Sequence, residues 1–482
     1  MRRYIYHPDH LVDVTAPVTD LNDPMGTLRA WLHAAGNVLT EPLFKGMLPS
    51  LANFLRTPAE SNSRPLGDYT LRDVSIGEYF ASKFGRPDVV NNLLSALIHG
   101  VYGGDVWKLS MESGLFRRLL LNDQLDVEPV LKGGMFVELQ DIYSAHDIIT
   151  RNGNVIDVAR MSMDWGFIGF FNGFSTLTDA IVDKLRKNPK VTLKTGESVT
   201  ALRFNEETQN VEVHSGKTEE AKQYGQVIST IFSGTLGKLT GDSLPTLKEQ
   251  KAVTIQVVNL WYPTPNLNAP HSGFGYLIPG SVPAANNPHC ALGVLFDSDR
   301  DSASGRPQDP TVLKRGRMDT VEGTKFTVML GGHHWDWLPP ENWPDAKEAA
   351  EMAKETVQRQ LGIPESAQKG VVASTKICRE CIPQQYVGHR QRMHAAHNEL
   401  LDAFRGKLTV AGGSYTPPGV LPSLRAGRDA ALQVAGHGYL DYGTPHTNPL
   451  DHVGETGLAW ATRACPDLAP YMKNKVPFRY GN

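Results

Sequence analysis

Near the C-terminus the run LTVAGGSYTPPGVLPSLRAGRDAALQVAG, residues 408–436, leaves little choice of local structure. Residues 408–411 are apolar with Thr and Val side by side, which predicts a short strand. Residues 412–419 carry Gly412, Gly413, Pro417, Pro418 and Gly419, too many breakers for either regular element. Residues 420–435 return to helical spacing. A strand, a glycine turn and a helix N-terminus in succession predict an α/β fold. The first helical turn carries N–H groups with no partner inside the helix and the positive end of its dipole, so it favours electron-rich groups. The pattern recurs across α/β folds and names no ligand by itself.

The chain has 482 residues, enough for two or three units with cores of their own. Its formal net charge is −3 and it has no long Lys/Arg stripe, so nucleic acid is not expected as a partner. Cys290, Cys378, Cys381 and Cys465 are too few for a disulfide framework, and the one C-x-x-C, Cys378–Cys381, has no second pair to complete a zinc site. His389, His394 and His397 are spaced by five and three, which does not stack three ligands on one helix face and predicts a solvated face. No metal site is read from these residues. No uncharged apolar run reaches the ~20 residues that cross a bilayer. The start, MRRYIYHPDH, lacks the apolar core of a secretory signal and the Arg/Ser-rich stretch of a mitochondrial presequence, and it begins as if inside a strand.

Residues 25–125 are helical in pattern. Leu28, Trp31, Leu32, Ala35 and Leu39 share one helical face, and Leu43, Phe44, Leu48, Leu51 and Leu55 continue the apolar supply. Ser75 with Glu78 predicts a capping box for a helix that runs to Phe84 and stops at Gly85. The simplest reading is a bundle whose apolar faces meet each other; a surface left for a membrane is the alternative. Residues 126–165 suggest a helix or two without assignable chemistry. A helix follows the turn Phe171-Asn172-Gly173; residues 191–204 and 211–214 predict adjacent strands, and residues 227–231 a buried one. Between Leu239 and Gln391, short apolar strands over 257–262, 274–278, 290–296 and 326–330 predict a mixed sheet with one face lining a pocket, and residues 348–361 an amphipathic helix. The tail from Gly438 reads as a loose extension.

The run at 408–436 resembles the C-terminal FAD-binding segment of the protoporphyrinogen oxidase family. Further stretches agree in the same order: GVYGGDVWKLSM from Gly100, VISTIF from Val227, VVNLWY from Val257, GFGYLIPGS from Gly273, LGVLFDS from Leu292, FTVMLGG from Phe326 and CIPQQYVGH from Cys381. The resemblance runs from about Arg3 to Gly436. It implies an FAD-dependent oxidation of protoporphyrinogen IX to protoporphyrin IX with O2 as acceptor, in haem biosynthesis, at the mitochondrial inner membrane as a monotopic protein. The segmentation it implies is a substrate-domain strand at 1–12, a helical membrane-associating insert at 13–158 and the middle FAD segment at 159–238. A mixed-sheet substrate domain follows at 239–404, then the C-terminal FAD segment at 405–437 and an extension at 438–482. The implied partners are a porphyrinogen, O2 and a membrane surface, with a homodimer left open.

By the same resemblance Phe274, Leu277, Leu295 and Met329 face the tetrapyrrole, although each also reads as plain core. Arg3 matches an arginine that meets a substrate propionate, or is an exposed basic terminus. His99 and Gly100 match the catalytic position where backbone approaches the reacting methylene bridge, a place where a helix C-cap would equally use glycine. The positions matching flavin contacts are Gly412, Ser414, Gly419, Val420 and Leu421; Val199 matches the adenine end. Asn172 and Gly173 stand where the family commonly has paired glycines, a departure. A second departure is that no G-x-G-x-x-G follows an apolar strand, which predicts an incomplete Rossmann-like FAD domain with weak FAD binding by this chain. A non-catalytic remnant, or another flavin-dependent amine oxidase or desaturase, remains the alternative.

Overall fold

The computed structural model describes residues 2–17, 24–63, 71–124, 145–146, 148–163, 170, 173–216, 221–302, 321–435 and 456–458. Among them are twelve strands: β1 (Tyr4–Tyr6), β2 (Leu11–Asp13), β3 (Val199–Asn205), β4 (Asn210–Ser215), β5 (Lys222–Tyr224), β6 (Val227–Ser229), β7 (Ala252–Tyr262), β8 (Gly275–Leu277), β9 (Ala291–Phe296), β10 (Thr324–Gly331), β11 (Val372–Pro383) and β12 (Leu408–Val410). The chain divides into two compact units. One holds Met1–Pro58, Val74–Ser110 and Lys251–Val387; the other holds Ala59–Asp73, Met111–Gln250 and Gly388–Asn482.

The first unit is built on a seven-stranded sheet in the order β11-β7-β10-β9-β8-β1-β2. All neighbours are antiparallel except β1 and β8, so the sheet is mixed, as expected. One face carries Tyr276, Val294, Phe296, Val328, Phe326, Val258 and Leu260, all buried. Against it lies the helix Ala346–Leu361, whose Ala349, Ala353 and Val357 recur at i, i+4 and i+8. Asp345 opens that helix with a capping box to Glu348, and Gly362 closes it with a φ of 69°. A polar link across this core is Tyr276 Oη donating to Gln360 Oε1, 2.7 Å. On the opposite face lies the helix Ser95–Tyr102, where Ala96 packs with Ile5 and Leu43.

The capping box at Ser75 and Glu78 forms as the spacing predicts, with Glu78 N donating to Ser75 Oγ at 3.0 Å. Of the two helices that precede it, Met47–Arg56 meets Ile76–Phe84 through Phe54 and Phe84, ring centroids 5.8 Å apart, and Asn53 Nδ2 donating to Lys83 O at 2.8 Å, but both leave apolar surface open. Pro24–Thr40 buries no residue, and Met47–Arg56 buries only Ser50. Leu28, Trp31, Leu32 and Leu39 are each at least half exposed, as are Leu48, Leu51 and Leu55. Periodicity put these residues on one face; nothing in the described residues covers it.

The second unit gathers around Leu202, Val211, Leu236, Leu247, Met393, Leu400, Phe404 and Val410. The helix His389–Phe404, expected within the substrate segment, supplies Met393, Ala396, Leu400 and Phe404 to this core. The stretch expected as one insert over 13–158 likewise divides between the two units. β6 and β12 pair in parallel, and β3, β4 and β5 form an antiparallel sheet. Residues 191–198 are irregular rather than strand, and β6 is not buried: Ile228 is 40% exposed and Ile231 beyond it 42%. The described piece of the tail is docked rather than loose, because Leu458 is fully buried and Val410 N donates to Thr456 O at 3.0 Å. Asn172, Cys465 and residues 126–140 lie outside the described residues.

Candidate functional site

In the second unit, β12 ends at Val410 and the chain turns through Gly412, with φ 108°, to Gly419, with φ 145°, before the helix Val420–Val434. Both dihedrals lie where L side chains are rarely found, so glycine is required for the turn itself. No side chain caps this helix. Its third residue is Pro422, which has no N–H, so the donors left by the first turn are those of Val420 and Leu421. Leu421 is 78% exposed and Gly413 has no atom within 4 Å of where a Cβ would stand. This is open backbone with two aligned donors, and it fits the carbonyl edge of a flavin ring.

Ser414 serves the loop's shape. Its Oγ accepts from Ser233 N at 3.0 Å, which pins the turn to the helix Ser233–Leu239, and it is 6% exposed. Beside it Tyr415 is buried with its Oη unpartnered, as is Ser233 Oγ, and burial pushes the Tyr415 phenol well up. Val199 begins β3, paired with Ser215, and is 40% exposed. Gly173 has φ 81° and open space where a Cβ would stand. In the same unit His389 corrects the expectation of a solvated face: it is 1% exposed, neither ring nitrogen has a partner, and desolvation lowers its pKa to about 3.

In the first unit the register of the sheet lines up one row of residues across five strands: Ile5, Leu277, Gly293, Met329 and Val257. Cross-strand partners share a face. Leu295, opposite Gly275 and Thr327, lies on that same face two residues along. Leu277, Leu295 and Met329 are half-buried, whereas the other face of these strands is closed. Gly293 lets Leu277 lie across the row: a Cβ on Gly293 would stand 3.0 Å from Leu277 Cδ2. Phe274 stands ahead of β8, half-buried and out of phase with Leu277, with its carbonyl accepting from Phe296 N. Arg3 is exposed beside β1, with its backbone N–H donated to Thr15 Oγ1.

The helix Ser95–Tyr102 presents Leu97, Gly100 and Val101, at i, i+3 and i+4, to solvent. Gly100 is not its cap, as the sequence suggested; Gly103 is, with φ 55° and its N–H donated to His99 O at 3.1 Å. A Cβ at Gly100 would stand 2.8 Å from Leu277 Cδ2, so glycine lets helix and sheet meet while its backbone stays exposed.

A cluster of three histidines lies beneath this helix. His99 Nδ1 is 2.6 Å from Ile278 O and His99 Nε2 is 2.8 Å from His333 Nε2; the His334 ring is 5.2 Å from that of His99. Burial, reinforced by the neighbouring imidazoles, lowers His99 to about 4 and His333 to about 2, and burial lowers His334 as well. All three are therefore neutral at physiological pH. Of these only His99 was singled out from sequence. The run Gly331-Gly332-His333-His334 carried one signal, two glycines that each take a positive φ and bend the end of β10 back toward Gly103.

Residues 73–431 match the family model of flavin containing amine oxidoreductases. The chain is 25% identical over 455 residues to protoporphyrinogen oxidase of Schizosaccharomyces pombe, covering 90% of this chain and 78% of that one. It is 26% identical over 400 residues to protoporphyrinogen oxidase of Homo sapiens, covering 81% and 76%. Among solved structures, one from Exiguobacterium sp. 255-15 assigned to protoporphyrinogen oxidase has a TM-score of 0.56 at 15% identity, over 88% of this chain and 77% of that one. Reduced UDP-galactopyranose mutase has a TM-score of 0.52 at 12% identity, over 95% and 81%. With a glycine turn and uncapped helix that suit a flavin, a mixed sheet with one accessible apolar face, and a family match over most of its length, this chain belongs to the flavin-containing amine oxidoreductase family.

Proposed function

We propose that this chain oxidises protoporphyrinogen IX to protoporphyrin IX with FAD as cofactor and O2 as acceptor, the activity named in its relatives from S. pombe and humans. The observation that carries this reading is the half-buried row Leu277–Gly293–Met329 with Leu295 beside it. A flat, mostly apolar substrate needs a broad apolar wall and few polar anchors. The chemistry supplied by bound FAD is uptake of a hydride equivalent from the substrate and its transfer to O2 as hydrogen peroxide.

The residues of this chain supply position and electrostatics. Gly412, Gly419, Val420 and Leu421 hold the flavin end, with Ser414 fixing the loop that carries them, and Val199 and Gly173 hold the adenine end. As hydride leaves a bridging carbon, positive charge grows on the substrate. The last turn of a helix has carbonyls without partners in the helix and the negative end of the dipole, which stabilises such charge. In Ser95–Tyr102 the Tyr102 carbonyl is bonded to Gln384 and that of Gly103 to His333, and His99 O accepts from Gly103. The Gly100 carbonyl, on the exposed side of this turn, is assigned that role, and His99 acts through the position it gives the turn. Arg3 meets a propionate. The exposed apolar helices Pro24–Thr40 and Met47–Arg56 rest on a membrane surface, as a monotopic protein of the mitochondrial inner membrane would require; among the described residues no helix is long and apolar enough to cross one.

Fluorescence of the porphyrin formed from protoporphyrinogen under air, with peroxide measured alongside, tests this. Met329→Glu places a charge in the apolar row and should cut kcat/KM by roughly 100-fold, in line with ~3 kcal/mol for an unpaired buried charge, while bound flavin stays at the wild-type ratio. Flavin loss together with unfolding would make Met329 structural, and wild-type turnover would remove the row from the substrate site.

A further inference from the structure

We propose that His99, His333 and His334 form a binding site for a divalent transition-metal ion of the zinc class, held by three imidazole nitrogens with a fourth position open. The candidate ligand atoms lie within 4.8 Å of one another, one residue buried and two half-buried, so the site is enclosed yet reachable. This inference stands apart from the oxidase reading, because it needs neither flavin nor porphyrin.

The arrangement has the parts such a site requires. The Ile278 carbonyl can only accept, so the proton of His99 is on Nδ1 and its Nε2 lone pair is turned to the cluster. Metal-binding histidines are commonly oriented in this way, by donating the other ring N–H to a carbonyl. The Nε2 of His333, 2.8 Å from His99 Nε2, carries its N–H toward that lone pair while no ion is bound. Entry of an ion shifts that proton to Nδ1 of His333, with no net proton released, and the two nitrogens separate to roughly 3.3 Å, the spacing of two ligands ~2.05 Å from a tetrahedral ion.

The supports are rigid. His333 and His334 sit on the turn fixed by Gly331 and Gly332, whose φ values are 93° and 61°. That turn is tied to the end of the His99 helix by His333 N donating to Gly103 O at 2.8 Å. A Cβ on Gly331 would collide with Trp335, so the bend is set by packing as well as by dihedral. Three neutral nitrogens select zinc, cobalt, nickel or copper over magnesium and calcium, which take oxygen. Asp105, which acts electrostatically on both His99 and His334, adds the negative charge a cation needs, while Lys108, 3.7 Å from Asp105 and from Asp336, partly offsets it.

The test uses the tag-free, FAD-loaded full chain, stripped of metal and titrated with Co2+, whose visible spectrum and X-ray absorption report the ligands. One equivalent should bind with imidazole scattering in its first shell. His334→Ala should weaken binding by roughly 100-fold, at least the loss seen when a supporting residue of a metal site is removed. His333→Cys should keep the ion and add a thiolate-to-cobalt charge-transfer band, which a purely structural histidine would not produce. Absence of Co2+ binding, a first shell without imidazole in the wild-type protein, or His334→Ala and His333→Ala binding as tightly as wild type would each overturn the proposal. The X-ray absorption arm needs no variant, so misfolded mutants leave the question decided.

Discussion

In the first unit β7 and β10 lie between neighbours on both sides, and one face of their sheet is sealed by Ala349, Ala353 and Val357. In the second, β12 is buried along its length, yet β6 beside it leaves Ile228 exposed, and the helix that follows the glycine turn exposes Val420, Leu421 and Leu424. The sheet packs on itself, so damage to it registers as lost stability. Around the glycine turn proposed to hold the flavin, apolar surface stays open to water at about 25 cal/mol per Å2, and a bound ring there would cover part of it. Damage there should register as lost cofactor with the fold retained.

The largest test of this contrast is acidification. Each unit holds a buried neutral histidine: His99 in the first, lowered to about 4, and His389 in the second, lowered to about 3. Lowered folded values mean the unfolded chain binds protons first. Stability is complete above the unfolded value of 6.5 and is lost as pH falls toward the folded ones. Each group contributes about 3 kcal/mol of loss between pH 6.5 and about 4. Denaturant titrations over that range should show His389→Leu recovering its share, since no partner of the ring is sacrificed. An unchanged pH slope in that variant would mean His389 is not held neutral.

Next in size is Gly419→Val. Forcing a branched residue to a φ of 145° costs roughly 1–3 kcal/mol, which is about 5- to 150-fold if it falls on flavin affinity. Flavin released on dilution, with the circular dichroism preserved, is the expected readout; stoichiometric flavin at wild-type affinity would place the ring away from this turn. Asp345→Ala, which removes the cap of the sheet unit's helix, should cost about 1 kcal/mol of stability and leave flavin content untouched. Smallest in stability terms is Leu28→Glu with Leu32→Glu. Both side chains are more than half exposed, so unfolding should move by no more than ~0.5 kcal/mol, whereas co-sedimentation with anionic vesicles should fall. Vesicle binding as strong as wild type would take the membrane off this helix.

What could be read from sequence was whatever depends on neighbours in the chain. The Ser75–Glu78 box, the strands of the mixed sheet and the turn at 412–419 all rest on spacings of a few residues, and all are present. What could not be read depends on partners far along it. The helical face of Leu28, Trp31 and Leu32 was legible, but its exposure was not, because periodicity says which residues lie together and not what covers them. His389 was misjudged for the same reason: the two spacings among three histidines on one helix carry no information about which of them the rest of the fold buries. The meeting of His99 with His333, 234 positions away, had no local trace beyond a pair of glycines.

The turn Val90–Leu94 that leads into the His99 helix is a π-helix, one residue fuller than an α turn. The aim of His99 is therefore a matter of counting. Each residue in an α-helix rotates the next by about 100°, so deleting one from this turn would let it relax to ordinary winding and swing everything downstream by that angle. Composition, hydrophobicity and helix propensity would hardly change. The imidazole would leave Ile278 and His333, and Gly100 would leave Leu277, in a single step. Length at this point is thus as much a functional character as any side chain, and a comparison among related chains that tolerates gaps here would pass over it.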